Sequence, residues 1–340
     1  MEASDWEVVY LVLLIVIAFP LNFGTTIRMH QLQRKSFPAG LPRHYFLLKA
    51  HLAWVDILIA TAFAGTRLLR IYSPQLLRGT ITCPLSTWLV SFSFYVSSYL
   101  VVCISILRCL EVCSFSTSSS HKMRRARVAL GIVWAAAGLT SLPEAVVHGS
   151  FTLPIPESRN SNQSRLCTNI WIAVRKQHPM LSGPRVISSW ELCYYIFHLC
   201  CIFWLPAALM IASYAITMAF SCHRSRKMRH IRQILYSVNG KNRLSRMQKV
   251  ARATVPVVLV YLVCWTPYNV VSLFGTNTVV IYSSYYLIAL PTILNPLVYR
   301  VATPTELKRN RTLRSTKIYW PSSASRLFDS VTIAPLIFRP

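Results

Sequence analysis

The chain alternates long apolar runs with short polar and basic segments, and this alternation is the strongest pattern in the sequence. Crossing the hydrocarbon layer of a membrane takes about 20 apolar residues in a helix. A helix also satisfies its own backbone hydrogen bonds there. Seven runs qualify, at residues 9–27, 45–65, 85–107, 128–147, 194–220, 253–273 and 279–299. We therefore predict an all-α membrane protein, a seven-transmembrane helix bundle.

Composition favours a membrane protein over a soluble enzyme. The 340 residues are 54% hydrophobic and only 14% charged, whereas a soluble domain carries about 25% charged residues. A formal net charge of +26 could serve nucleic-acid binding. The basic residues, however, are spread between the apolar runs and form no single basic module. We expect the lipid bilayer, and no nucleic acid, among the partners.

The basic residues predict the orientation of the chain. Most of the 36 Lys and Arg residues follow the first, third, fifth and seventh runs, and such segments stay in the cytoplasm. The N-terminus is then outside, with an outer tail at 1–8, a seven-helix domain at 9–300 and a cytoplasmic segment at 301–340. Residues 1–7 lack the basic region of a cleavable signal peptide, so the first run is expected to act as its own insertion signal.

The segment after the seventh run has the form of a helix start. Thr303-Pro304-Thr305-Glu306 matches a capping box with proline in the first turn. We expect a short amphipathic helix here, with basic residues that suit an anionic inner leaflet. A disordered basic tail is the alternative beyond Arg314.

Two covalent features are expected in the outer segments. Most of the ten cysteines lie inside apolar runs, where cysteine behaves as a small hydrophobe. Cys83 and Cys167 lie in outward-facing segments, so one disulfide is expected between them. Asn162 begins an Asn-Gln-Ser sequon in the long outer loop and is a predicted glycosylation site.

Polar residues inside the apolar runs indicate function, because their desolvation has to be offset by a partner or by water. Asp56 is the clearest case. We predict an ion or water site in which Ser97 and Asn295 supply further oxygen ligands, and oxygen ligands suit sodium. An allosteric sodium ion is the only cofactor expected. The alternative is that Asp56 simply ties helices together by hydrogen bonds.

Prolines stand in three late runs, and each removes a backbone donor and favours a kink. They are Pro206 in the fifth run, Pro267 in the sixth and Pro296 in the seventh. Pro267 precedes the aromatic residue Tyr268, and Pro296 follows Asn295. We interpret this as a bundle built to move.

Taken in order, these residues resemble the rhodopsin-like (class A) family of G-protein-coupled receptors over about residues 22–313. A narrower resemblance, in residues 95–102 and 264–268, is to receptors for gonadotropin-releasing hormone, adipokinetic hormone and corazonin, with vasopressin-like receptors second. The matching positions are Asn22, Leu52 to Asp56, Cys83, Trp134, Cys167, Pro206, Tyr214, Cys264-Trp265-Thr266-Pro267 and Asn295-Pro296-Leu297-Val298-Tyr299.

The resemblance implies a plasma-membrane receptor, not an enzyme, that binds an extracellular peptide and activates heterotrimeric G proteins. The ligand would lie above the proline of the sixth span, and Arg67 near the outer face could meet an acidic group on it. The implied ligand-binding residues are Arg67, Phe94, Trp265, Tyr268 and Asn269. The residues implied in coupling and activation are Arg108, Tyr214, Pro267, Asn295, Pro296 and Tyr299.

The sequence departs from the family at several of these positions. Leu107-Arg108-Cys109 replaces an acidic-Arg-Tyr triplet, so we expect Arg108 to lack its ionic restraint and basal activity to be raised. Restoring an acid at 107 should then lower it. Pro291 replaces a common Asn of the sodium site, and Tyr261 replaces a common Phe. Arg67 and Val90 stand where gonadotropin-releasing-hormone receptors carry an acid and a lysine, so ligand identity is not carried over.

Two other classes of protein stay open. A receptor-like or decoy membrane protein would share the fold and bind ligand without coupling. A transporter would need a polar pathway through the bundle, but Asp56 is nearly the only charge expected inside it. An intramembrane enzyme would need a second acid or metal ligands at helical spacing, and the sequence shows neither.

Overall fold

The computed structural model describes residues 5–34, 43–113, 118–154, 163–177, 186–232, 238–274 and 278–302. These residues form helices and one antiparallel hairpin. The helices are α1 (Asp5–Arg34), α2 (Arg43–Tyr72), α3 (Thr82–Cys113), α4 (Ser119–Val147), α5 (Ile170–Gln177), α6 (Val186–Leu199), α7 (Leu205–Arg232), α8 (Val238–Phe274), α9 (Thr278–Leu287) and α10 (Pro291–Ala302). The strands are β1 (His148–Pro154) and β2 (Gln163–Asn169).

Six helical segments of the described chain are long and apolar enough to cross a membrane. They correspond to α1, α2, α3 and α4, to α6 and α7 taken together, and to the apolar half of α8. The seventh predicted run is present as two shorter helices, α9 and α10. A turn at residues 288–290 separates them.

The break in the seventh segment has a local cause. Pro291 begins α10, and a proline disfavours helical geometry in the residue before it. The interruption therefore falls at Pro291, and α10 continues through Pro296 without one. Likewise α8 continues through Pro267.

Pro206 has a different effect. It follows a π-helical turn, Cys200–Trp204, that joins α6 to α7. A π turn is wound more widely than an α-helix, and Pro206 has no N–H to donate. Backbone carbonyls in the turn therefore lack a helical donor and can accept hydrogen bonds from other residues. The Ile202 carbonyl accepts hydrogen bonds from Ser98 Oγ at 2.7 Å and from Tyr261 Oη at 2.8 Å. The fifth span is thus joined to α3 and α8 at this turn.

The first helix begins earlier than the sequence predicted. Residues 5–8 were assigned to an outer tail, but α1 starts at Asp5. Asp5 and Glu7 lie in its first turn, where negative charge is favourable beside the helix dipole. The helix thus begins about one turn before the predicted apolar run, within the residues predicted as the outer tail.

The interior is centred on α3, which packs against α2, α4, α7 and α8. Its inward side chains include Tyr95, Val96 and Leu100, each almost fully buried. By contrast, large apolar side chains face outward, as at Leu139, 68% exposed, and Val263, 69% exposed. An apolar exterior of this extent is what a lipid-facing surface requires.

The hairpin lies at the start of α3 and is attached to it covalently. Strands β1 and β2 pair antiparallel, with Ser150 opposite Cys167. Cys167 forms a disulfide with Cys83, with 5.6 Å between the Cα atoms. This confirms the predicted bond, and the remaining cysteines of the described chain are free thiols.

Several predicted features lie outside the described residues. They are the glycosylation site at Asn162 and the amphipathic helix from Thr303 onward. Tyr299 belongs to α10, but its side chain is likewise outside the description.

Candidate functional site

Two of the predicted ligand residues meet at the centre of the bundle. Trp265 of α8 is 2% exposed, and its ring stands nearly perpendicular to that of Phe94 of α3, with centroids 5.6 Å apart. The ring of Phe203, in the π turn, is parallel to that of Trp265, with centroids 6.5 Å apart. Spans three, five and six therefore meet at one aromatic cluster.

Tyr268 and Asn269 lie one turn further along α8. The Tyr268 ring contacts Tyr285 of α9 at 5.5 Å. Asn269 is fully buried and its Nδ2 donates to the Trp265 carbonyl at 2.9 Å. The Asn269 Nδ2 group is therefore bonded to the backbone of its own helix, and Asn269 Oδ1 has no hydrogen-bond partner among the described residues.

Phe63 of α2 joins the predicted residues and was missed by sequence reasoning. Its ring contacts Phe94 at 5.7 Å, Tyr285 at 5.3 Å and Tyr286 at 6.1 Å. It follows Asp56 by seven residues, which is about two turns on the same helix face. That spacing was the signal available in the sequence.

Arg67 meets a carboxylate of the chain itself. Its Nη2 donates to Glu7 Oε1 at 2.5 Å and to Tyr286 Oη at 2.7 Å. Tyr286 in turn donates to the same Glu7 oxygen at 2.5 Å. This group joins α1, α2 and α9, so an acidic ligand would have to compete with Glu7 for Arg67.

A second polar cluster near the hairpin was also missed. Glu144 of α4 is 7% exposed. Its two oxygens lie 3.1 Å from His148 Nδ1 and 3.2 Å from His198 Nδ1. Tyr95 Oη lies 3.2 Å from the same His198 nitrogen. The cluster connects α3, α4, β1 and α6.

The middle of the bundle contains the predicted Asp56 site. Asp56 is fully buried, and Asn295 Nδ2 donates to its two oxygens at 3.0 and 3.3 Å. Ser97 is buried on α3. The Asp56 carboxylate and the Ser97 hydroxyl suit a hard cation. Asn295, however, turns its N–H groups toward Asp56 and serves there as a donor, which departs from its predicted role as an oxygen ligand.

Arg108 lies near the cytoplasmic end of α3 in the predicted orientation. It is 5% exposed, and its Nη1 donates to Glu111 Oε2 at 2.5 Å. Its guanidinium carbon lies 4.3 Å above the Tyr45 ring of α2. The expectation that Arg108 lacks an acidic partner was wrong, because it considered only position 107.

The other predicted coupling residues lie on separate helices. Tyr214 is half-buried on α7, Pro267 is half-buried on α8, and Pro296 is buried on α10. One helix, α3, thus carries both Phe94 of the aromatic cluster and Arg108, and the Asp56–Asn295 pair also lies within the bundle. This arrangement defines a multi-pass helical membrane protein with a buried aromatic cluster.

The comparison with known families agrees with this class. The family described as "7 transmembrane receptor (rhodopsin family)" matches residues 39–299. The chain therefore belongs to the rhodopsin family of seven-transmembrane receptors. The predicted seven-helix fold is confirmed, and since the members of this family are receptors, the chain is not an enzyme.

Relatives among curated proteins are receptors of the same kind. The chain is 28% identical to the G-protein coupled receptor daf-38 of Caenorhabditis elegans over 67% of its length and 52% of that protein. It is 26% identical to the RYamide receptor of Tribolium castaneum, over 77% of the chain and 68% of that protein. With the gonadotropin-releasing hormone receptor of Octopus vulgaris it shares 24% identity, over 69% and 57% respectively. The chain spans about half the length of the nematode relative.

Proposed function

We propose that this chain is a cell-surface receptor that binds an extracellular neuropeptide and activates heterotrimeric G proteins. The observation that carries the proposal is the position of Phe94 and Arg108 on one helix, α3. They are 14 residues apart, or about 21 Å along the axis. Movement around the aromatic cluster can therefore change the environment of Arg108. Family membership and the names of the RYamide and gonadotropin-releasing hormone receptors support a peptide ligand.

The ligand site in this proposal is the aromatic cluster and the polar groups around it. Phe94, Trp265 and Tyr268 supply apolar contact area, and the Arg67–Glu7 pair supplies one charge of each sign. A ligand that binds one arrangement of these helices better shifts the population toward it. Arg108, Tyr214 and Tyr299 would then contact the G protein at the inner face.

The experiment is a screen of amidated neuropeptides on cells that express the full chain. G-protein dissociation is recorded for each G-protein class, with R108A as the uncoupled control. A peptide that dissociates a G protein through the wild type but not through R108A supports the proposal. A peptide that binds the wild type without any G-protein response favours the second candidate, a non-coupling receptor, for which the Leu107-Arg108-Cys109 sequence is the specific observation.

We also propose that a sodium ion or a water molecule binds beside Asp56. The support is the fully buried Asp56 carboxylate and the buried Ser97 hydroxyl. Replacement of sodium by choline at equal concentration should lower the melting temperature of the purified wild type. The D56N variant should show no difference between the two salts. Equal melting temperatures of the wild type in both salts would exclude the sodium ion and leave Asp56 with a water molecule or with its hydrogen bond to Asn295 alone.

A further inference from the structure

The surroundings of Arg108 contain an acid that the family pattern does not place there. Glu111 follows Arg108 by three residues, so the two side chains lie on one face of α3, a turn apart. Arg108 Nη1 lies 2.5 Å from Glu111 Oε2, and the Arg108 side chain is only 6% exposed. A buried guanidinium needs such a counter-charge, because removal of either partner leaves an uncompensated charge.

The same carboxylate is held from the neighbouring helix. His44 of α2 is buried, and its Nε2 lies 2.5 Å from Glu111 Oε1, the oxygen that Arg108 does not use. Tyr45, the next residue of α2, presents its ring to the Arg108 guanidinium at 4.3 Å. Cation–ring contacts of this kind are attractive when desolvated. Two adjacent residues of α2 therefore fix both members of the Arg108–Glu111 pair.

Position 107 lines the same small cavity as Glu111. Leu107 is half-buried and lines a small cavity with Lys122 and Arg125 of α4. An acid introduced at 107 would therefore also have the two basic side chains of α4 as neighbours. Glu111 lines the same cavity and already contacts Arg108.

We propose that Glu111, positioned by His44, is the residue that restrains Arg108 inside the bundle in place of the absent acid at 107. Glu111 is a positioning residue, because it acts through Arg108. The inference rests on the proposed function, since it assigns the regulation of the same inner site. A conformation that exposes Arg108 has to separate it from Glu111 and from the Tyr45 ring. Loss of the ion pair should shift the population toward that conformation.

The test is the basal activity of E111Q, which keeps the shape of the side chain and removes its charge. Ligand-free G-protein dissociation per receptor at the cell surface should rise about threefold or more. H44Q should raise basal activity by a smaller factor, since it weakens the support and leaves the Arg108–Glu111 pair. The matched control is E191Q, which removes the exposed ion pair between Arg175 and Glu191 and should leave basal activity unchanged. L107E should not lower it.

A second readout does not depend on G proteins. Probes are introduced as non-natural amino acids at Leu110 of α3 and Val255 of α8, both exposed, and their separation is measured in purified full-length receptor. E111Q should lengthen the mean distance relative to the wild type and E191Q. A longer distance in E111Q without any G-protein signal from any variant would contradict the proposed coupling but support the restraint.

The restraint itself is contradicted by two results. One is an E111Q receptor with wild-type basal signalling and wild-type probe distance. The other is an L107E receptor whose basal signalling falls severalfold, since Arg108 would then lack a sufficient partner in the wild type. Should E111Q fail to reach the surface, H44Q tests the same contact from α2, and its basal signalling must exceed that of E191Q.

Discussion

Four carboxylates inside the described bundle, three of them buried and one half-buried, are each paired with a group on another element. Glu7 of α1 meets Arg67 of α2, and Asp56 of α2 meets Asn295 of α10. Glu111 of α3 meets His44 of α2, and Glu144 of α4 meets histidines of β1 and α6. Burial of a charge is costly unless it is paired and hydrogen-bonded. These pairs therefore act as specific links between segments that apolar contacts alone would leave free to slide.

The Glu7 group gives a prediction at the level of one residue. E7Q removes the counter-charge of Arg67 and weakens the acceptor of Tyr286, so we expect the free energy of unfolding to fall by about 1–3 kcal/mol. The measurement is the melting temperature of purified receptor. D5N is the matched control, because Asp5 lies in the same helical turn and is exposed. Equal melting temperatures for E7Q and D5N would show that the pair adds no stability.

Prediction of these residues from the sequence succeeded only in part. Asp56 and Asn295 were recognised because each is a polar residue inside an apolar run, and the structure brings them together. Glu7, Glu111 and Glu144 were missed as partners because they lie near the ends of runs, where an acid has an ordinary solvated explanation. Only the packing of distant segments shows that each of them meets a partner inside the bundle.

At the scale of elements, the π turn before Pro206 is the clearest case of a helix distortion that connects other helices. It frees the Ile202 carbonyl, and Ser98 and Tyr261 converge on that oxygen from α3 and α8. Their hydroxyl oxygens lie 2.7 Å apart. Tyr261 stands where the family commonly has Phe. Its hydroxyl bonds to the Ile202 carbonyl, which is available because another helix is distorted, and to Ser98.

A double-mutant cycle with S98A and Y261F tests this connection. Each single variant should lower the free energy of unfolding by about 1 kcal/mol, since one hydroxyl leaves while the carbonyl keeps a donor. The double variant should lose more than the sum, because the Ile202 carbonyl is then buried without a donor from either helix. Additive losses in thermal or denaturant unfolding would contradict a shared acceptor.

The elements themselves were largely predictable. Each of the first six apolar runs lies within described helix, because a chain in lipid has to satisfy its backbone internally. The π turn and the break before α10 were not predicted. A proline indicates that a helix is perturbed. Whether the helix kinks, widens or stops there depends on which neighbouring donors can bond to the carbonyls that lose their helical partner.

For the whole molecule, the distribution of charge predicts the orientation of the chain in the membrane, which the fold alone does not determine. Basic residues concentrate after the odd-numbered spans, which predicts an N-terminus outside and a C-terminus in the cytoplasm. An epitope tag at the N-terminus should be accessible on intact cells, and a tag at the C-terminus only after permeabilisation. Tags that are both accessible on intact cells would falsify the seven-span orientation.

The sequence alone determined the membrane class, the number of spans, the disulfide and the family, because all four follow from apolar length and from residues in fixed order. The tertiary structure decided which charges pair. Glu7 and Tyr286 are 279 residues apart and Arg67 and Tyr286 are 219 apart, and no local pattern encodes such distances. It also decided that Arg108 has a counter-charge. That partner, Glu111, is only three residues away, but its role becomes visible only when α2 packs His44 and Tyr45 against it.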